Sequence, residues 1–297
     1  MSVVQFKYTT KRWGEATRAN FREFSHSRSG MFGAIVLLIF VLLALGAPLF
    51  SSSRDLNPAF INNPLNAPPS SRFILGTDPQ GRSVALSLIW GARSSLLVGF
   101  VSAILAMVLG TAIGLMAAHF RGLFTGVLMR IIDFFLVVPS LILAIVLAAV
   151  IGHSLFTIII AIAVTSWAGT ARVVRAQALS IEARPYVERS WVLGSTHRHV
   201  LMTQVLPGVM PIVLASTTLQ VGNAIITEST LAFLGVSDPS TITWGSMLEL
   251  ALGSGAASAG YWWFVLSPGI AIVLVVMAFT LVGRALEAVV NPTLRNG

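Results

Sequence analysis

The sequence predicts an all-α polytopic membrane protein with six transmembrane helices, and three observations carry that prediction. Of its 297 residues, 55% are hydrophobic and only 10% charged, well under half the charged share of an ordinary soluble domain. The apolar residues are gathered into runs long enough to span a bilayer as helices, a form that leaves no backbone polar group unpaired in lipid. Lysine and arginine, finally, concentrate on alternate connecting segments, as the positive-inside rule demands.

Residues 31–50 form the first span. The run is too long for a signal-peptide core and no small-residue cleavage pattern precedes it, so it is read as retained. The second span is expected over 96–118, the third over 127–151, and the fourth over 155–167 or slightly beyond. The fifth and sixth occupy 210–234 and 262–286. Interior Pro139 and Pro268 are expected to kink their helices, and Gly110, Gly114 and Ala117 to let the second span approach a neighbour closely. Six spans put both termini on one side. If that side is cytoplasmic, segments 1–30, 119–130, 170–210 and 284–297 carry fifteen of the nineteen basic residues, leaving Arg54, Arg72, Arg82 and Arg93 outside. The formal charge of +8 is then a topology signal and an attraction to anionic lipid. No clustered basic stripe for nucleic acid is present. Cysteine is absent and the histidines, among them His26, His119, His197 and His199, make no ligand set at metal-binding spacing, so neither disulfides nor a metal site is expected. The domain organisation is an N-terminal tail (1–30), the first span, an extracytoplasmic segment (51–95), a core of five spans (96–286) containing a polar insert (170–209), and a C-terminal tail (287–297).

The extracytoplasmic segment is rich in Ser, Asn and Pro and reads as extended loop with turns. Within GTDPQGRS (76–83), Gly76 and Gly81 permit sharp turns and Asp78 before Pro79 initiates one. The glycine spacing and the missing Lys-Ser/Thr pair exclude a phosphate loop. VALSLIWG (84–91) is expected to lie along the interface before the second span turns inward. Inside the spans, Asp133 and Glu228 are costly in hydrocarbon and should face the bundle interior or a water-filled passage. Asp133, one turn after Arg130, is read as a structural partner near the inner surface. Asn223, Thr227 and Thr230 recur at helical spacing and give the fifth span a hydrophilic face. Asp133, Asn223 and Glu228 are therefore the candidates for lining a translocation path.

The polar insert runs VRAQALSIEARPYVERSWVLGSTHRHVLMTQVLPG (174–208). Glu182, Tyr186 and Arg189 stand at helical spacing, and Gly194 interrupts the period. Ser195 or Thr196 caps a second helix from about His197 to Leu206, Pro207 ends it, and Pro211 opens the fifth span. The result is helix, glycine bend, helix. Its mixture of apolar anchors with charges of both signs suits a protein groove better than lipid alone.

This stretch resembles the cytoplasmic coupling segment of permease subunits in ATP-binding-cassette importers, whose pattern is Glu-Ala-Ala, three residues, Gly, nine residues, a hydrophobic residue, any residue, Leu-Pro. Glu188 matches the glutamate, Gly194 the glycine, and Leu206-Pro207 the closing pair; Arg189 and Ser190 replace the alanines, and Gln204 the hydrophobic residue. LGTDPQGRS is similar to the LGTDxxGRD signature of the dipeptide/oligopeptide/nickel transport permeases, specifically the second permease of such a pair, with Ser83 in place of aspartate. GARSSLLVG (91–99) is similar to their GARxSLxVG and TESTLAFLG (227–235) to their AEASLSFLG.

The resemblance, over roughly residues 30–295, implies the type I importer permease fold in the cytoplasmic (inner) membrane. It implies a homologous second permease as partner, two ATPase subunits that bind ATP and Mg outside this chain, and an extracytoplasmic substrate-binding protein. The chain itself would be no enzyme and hold no cofactor. Glu182, Tyr186, Glu188, Arg189, Gly194, Leu206 and Pro207 would make the ATPase contact, and Gly76, Thr77, Asp78, Gly81 and Arg82 the extracytoplasmic motif. Peptide is the expected solute, with nickel or its chelate, glutathione-like molecules and sugars also within the family's range. Two rivals stay open: a secondary transporter driven through Asp133 and Glu228, and a non-transporting membrane scaffold.

Overall fold

The structure, a computed structural model, describes residues 23–290. The expected tails fall largely on residues 1–22 and 291–297, outside the described residues. Described regular structure is helical apart from one isolated bridge between Thr77 and Ser83. Helix α1 (Arg28–Phe50) starts where the Ser27 hydroxyl accepts the Gly30 amide and packs its small residues on the last long helix. Helix α2 (Val84–His119) is followed by α3 (Leu123–Val137), α4 (Ser140–Ile151) and α5 (Leu155–Glu182). Then come the short α6 (Pro185–Val192), the long α7 (His197–Phe233), α8 (Trp244–Gly253) and α9 (Trp262–Val290). Helices α1, α2, α5, α7 and α9 are each long and apolar enough to cross a membrane, and α3 with α4 makes a sixth if that bent pair is one span.

The structure corrects several expectations. Residues 84–91 do not lie apart along an interface; they continue α2 without a break. At 36 residues α2 measures about 54 Å, longer than the ~30 Å hydrocarbon thickness, so part of it projects. Pro139 does more than kink the third span: Val138 is forced extended (φ −71°, ψ 126°) and α3 and α4 meet at 92°. The fourth span does not stop near 167 but runs to Glu182, because no helix breaker intervenes before Arg184, held extended by Pro185. Glu182 and Tyr186 therefore sit on different helices despite their spacing. Pro207 does not end its helix either. A π turn over Leu201–Val205, closed by the Leu206 amide donating to the Leu201 carbonyl, takes up the proline, and α7 continues through Pro211 to Phe233. Helix α8 was not expected; its N-terminus is a reciprocal cap between Thr243 and Ser246.

The core has two main centres at opposite ends of the bundle. One surrounds Trp244, whose backbone amide donates to Ser95 Oγ (3.2 Å) and whose indole donates to the Leu88 carbonyl (3.1 Å), with Phe40 edge-on at 5.6 Å. The other gathers Val174, Ala178 and Ile181 of α5, Val187 of α6, and Val200, Val205 and Val209 of α7. This second core fastens the polar insert to the bundle. Between them α2 crosses α5 on glycines: a Cβ on Gly110 would stand 2.6 Å from the Trp167 carbonyl oxygen, and one on Gly114 2.6 Å from that of Ala171. The close approach predicted from Gly110 and Gly114 is made to α5.

Candidate functional site

The polar insert folds as a helix–bend–helix hairpin between α5 and α7. Pro185 occupies the first turn of α6, where its missing amide costs nothing. Gly194 ends it at φ +78°, a left-handed position that a side chain resists. The Ser195 amide donates to the Ser190 carbonyl and the Gly194 amide to that of Trp191, the Schellman pattern. Val187 turns fully inward, whereas Tyr186, Glu188, Arg189 and Gly194 are exposed and Val192 and Leu193 protrude at 83% and 84% exposure. Leu206 is half-buried and Pro207 exposed at the start of the α7 continuation. An apolar tip rimmed by charges is thereby held on a rigid base.

At that base Glu182 accepts a hydrogen bond from His119 Nδ1 at 2.6 Å, and His119 Nε2 meets His197 Nδ1 at 2.8 Å. Trp191 stacks on the His119 ring at 5.7 Å and 28°. Sequence spacing could not find this cluster, since its members are 63 and 78 residues from His119. Among the described residues no group of three His, Cys, Asp or Glu is placed to hold a metal ion.

Above the hairpin, α2, α5 and α7 enclose a cleft of about 210 Å³ lined by Ser166, Thr170, Ser216, Gln220 and Asn223 together with Met107 and aliphatic side chains, and by no ionisable group. Of the path candidates only Asn223 faces it. Glu228, five residues on, is 2% exposed and points away, among the hydroxyls of Thr243, Ser95 and Ser229, the last at 3.2 Å. It clasps α7 to α8 and α2. Asp133 pairs not with Arg130 but with Arg172 at 2.6 Å, both exposed, linking α3 to α5. The three residues do not converge. Thr227 and Thr230 turn their hydroxyls back onto the Asn223 and Ile226 carbonyls. The cleft residues Ser166, Thr170, Ser216 and Gln220 were missed; the weak signal was their recurrence every third or fourth residue along α5 and α7.

At the other end, the GTDPQGRS stretch is a self-satisfied knot. The Thr77 hydroxyl donates to the Pro64 carbonyl (2.6 Å) and accepts from the Ala67 amide (2.8 Å). Asp78 accepts from the Gln80 and Arg82 amides and from Arg82 Nε at 2.6 Å. Gly76 (φ +67°) approaches Ala67 and Trp263 so closely that no side chain fits, and Gly81 turns the loop at φ +77°. Thr77 and Asp78 are buried, so the motif fixes the loop onto α9. In the α7–α8 turn the Ser240 hydroxyl, bonded to Asp238 at 2.7 Å, holds that carboxyl below its usual range.

Residues 110–296 match the family described as "Binding-protein-dependent transport system inner membrane component", and residues 13–69 match the "N-terminal TM domain of oligopeptide transport permease C". The oligopeptide transport system permease protein OppC of Bacillus subtilis is 33% identical over 92% of this chain and 88% of its own. The di/tripeptide transport system permease protein DppC of Pseudomonas aeruginosa is 34% identical over 93% and 92%. The glutathione transport system permease protein GsiD of Pectobacterium atrosepticum is 30% identical over 100% and 96%. Among solved structures, a chain of the inward-facing MetNI methionine ABC transporter shares the fold, with a TM-score of 0.58 and 19% identity over 69% of this chain and 97% of that one.

Proposed function

The chain belongs to the binding-protein-dependent transport system inner membrane component family and is a membrane permease subunit of an ABC import system; from that premise we propose that it carries di- or oligopeptides, with the 185–207 hairpin as its ATPase dock. It pairs with a homologous permease, receives solute from a binding protein on the side of residues 51–83, and keeps both termini in the cytoplasm. The observation that carries the solute reading is the α2–α5–α7 cleft: hydroxyl and amide groups without a fixed charge suit the peptide bond and tolerate varied side chains. The names of the relatives point the same way, since glutathione is itself a tripeptide.

In mechanism, the exposed tip of α6 moves with the ATPases as they close and reopen, and the second core carries that movement into α5 and α7. ATP shifts the equilibrium only as far as its binding energy differs between the two arrangements. Three measurements test the reading. Deleting the gene should abolish uptake of a labelled dipeptide while leaving nickel and sugar uptake intact, and mass spectrometry of the cognate binding protein should find retained peptide. A retained sugar or metal chelate would overturn the solute class. Failure of an ATPase to co-purify with the intact complex would overturn the dock.

A further inference from the structure

The cluster at the base of the hairpin joins the ends of three helices that higher up line the cleft, with the second core packed between. His119 is the last residue of α2, Glu182 the last of α5, and His197 the first of α7. The same three helices line the cleft through Met107, Thr170 and Asn223, respectively. Along their length α2 and α5 are locked by the Gly110 and Gly114 crossings and by Arg175 donating to the Ala117 carbonyl at 3.1 Å, so they move as a pair. Helix α7 stands on the other side of the cleft. The hydrogen bond between His119 and His197 is thus a polar tie below the cleft, added to the apolar packing of Val205 and Val209 on α5, at the point where α6 leaves the bundle.

We propose that His119 is a positioning residue that, alongside the second core, transmits hairpin movement to the cleft, anchored on Glu182 and linked through His197 to α7. The chemistry suits a tie. With Nδ1–H donated to the Glu182 carboxylate, His119 keeps Nε2 for one further bond, and the 2.8 Å N···N contact holds one proton whichever ring supplies it. The His119 side chain is 1% exposed and Trp191 of α6 stacks on it, so the ring has little freedom to turn away. Trp191 also packs edge-on against His197 at 4.9 Å, which places the α6 tryptophan against both members of the tie. Displacement of α6 by a docked ATPase therefore acts directly on the bond between α7 and the α2–α5 pair.

The inference rests on the hairpin being the ATPase dock, and the test separates the two. The chain has no cysteine, so introduced cysteines are its only labelling sites; labelled singly or in pairs, it is assembled into the full complex with partners whose own thiols have been blocked. A pair at Val108 of α2 and Leu214 of α7, exposed at 61% and 60%, reads the cleft, and a single label at Val192 reads the hairpin tip. Adding ATP with vanadate should immobilise Val192 and shift the Val108–Leu214 distance distribution. In His119→Ala and in His197→Ala the Val192 signal should persist while the shifted cleft population falls by up to ~10-fold, the scale expected for loss of one net hydrogen bond. His197→Asn, whose amide replaces ring Nδ1, should restore it; a purely structural defect would not be restored in this way. Because His197 is exposed, its variants keep the test valid if His119→Ala fails to fold. A full cleft shift in the alanine variants overturns the tie. An unresponsive Val192 in the unsubstituted complex overturns the dock and the tie together.

Discussion

Ser190 and Gln204 stand where the importer pattern has a small alanine and an apolar residue, and the fold makes the two departures one. Gln204 Nε2 donates to Ser190 Oγ at 2.5 Å across the Gly194 bend, and the Ser190 hydroxyl donates to the Tyr186 carbonyl at 3.1 Å. Ser190→Ala should strand a half-buried amide, costing about 1–2 kcal/mol, and Gln204→Leu alone should cost less. The double variant should recover much of the loss, with a coupling of about 0.5–1.5 kcal/mol in unfolding titrations of the purified chain. Strictly additive losses would count against the pairing. Nothing in the structure explains Arg189, which is exposed. Glu228 teaches a related lesson: a carboxyl deep in a span reads as path lining, yet here three hydroxyls enclose it and it serves as a clasp.

At the scale of elements, the decisive features are where helices stop. Helix α5 runs past its apolar stretch to Glu182 and α7 begins at His197, so only α6 and the Gly194 bend stand free of the spans. Under the proposed function this bend orients the exposed tip of α6 toward the ATPase. Nothing lies within 4 Å of a Cβ added at Gly194, but φ +78° makes any L side chain unfavourable by about 1–2 kcal/mol. Gly194→Trp should therefore leave the spans inserted and the complex assembled, yet reorient Val192 and Leu193 and lower solute moved per ATP hydrolysed several-fold. Reconstituted uptake and phosphate release, measured together, check this; an unchanged ratio would discard that role for the bend. The π turn before Pro207 is the matching device on α7, letting a proline sit in a helix that runs unbroken from the hairpin into the bundle.

For the whole molecule, packing without a hydrophobic contrast to lipid depends on backbones coming close. The α2–α5 crossing is the main example, because the nearest atoms to Gly110 and Gly114 include backbone carbonyls, which cannot rotate away as side chains do. Gly110→Leu should separate the two helices, destabilising the fold by about 1–3 kcal/mol or more and lowering the thermal midpoint in detergent. Retention of the native midpoint would show that the crossing is not tight in the membrane. The same separation would widen the cleft, so uptake should fall even at temperatures where the protein stays folded.

Hydropathy and the distribution of arginine by themselves determined that the chain is a bundle of membrane-spanning helices, because the burial of backbone polar groups and the placement of charge are local requirements. The bend at Gly194 and the turns around Gly76 and Asp78 were legible for the same reason: proline, glycine and capping residues act within a few positions. Helix ends were read less well. The polarity of residues 168–182 suggested an end to the fourth span, although polar residues do not stop a helix, and this one ends only where Pro185 holds Arg184 extended. Only the tertiary structure decided which polar residues share a site. It turned Asn223 toward the cleft and Glu228 away from it, paired Asp133 with Arg172, and joined His119 to Glu182 and His197. Those outcomes depend on how helices distant in sequence rotate against one another, and that rotation is set by the fit of glycines and small side chains across the whole bundle.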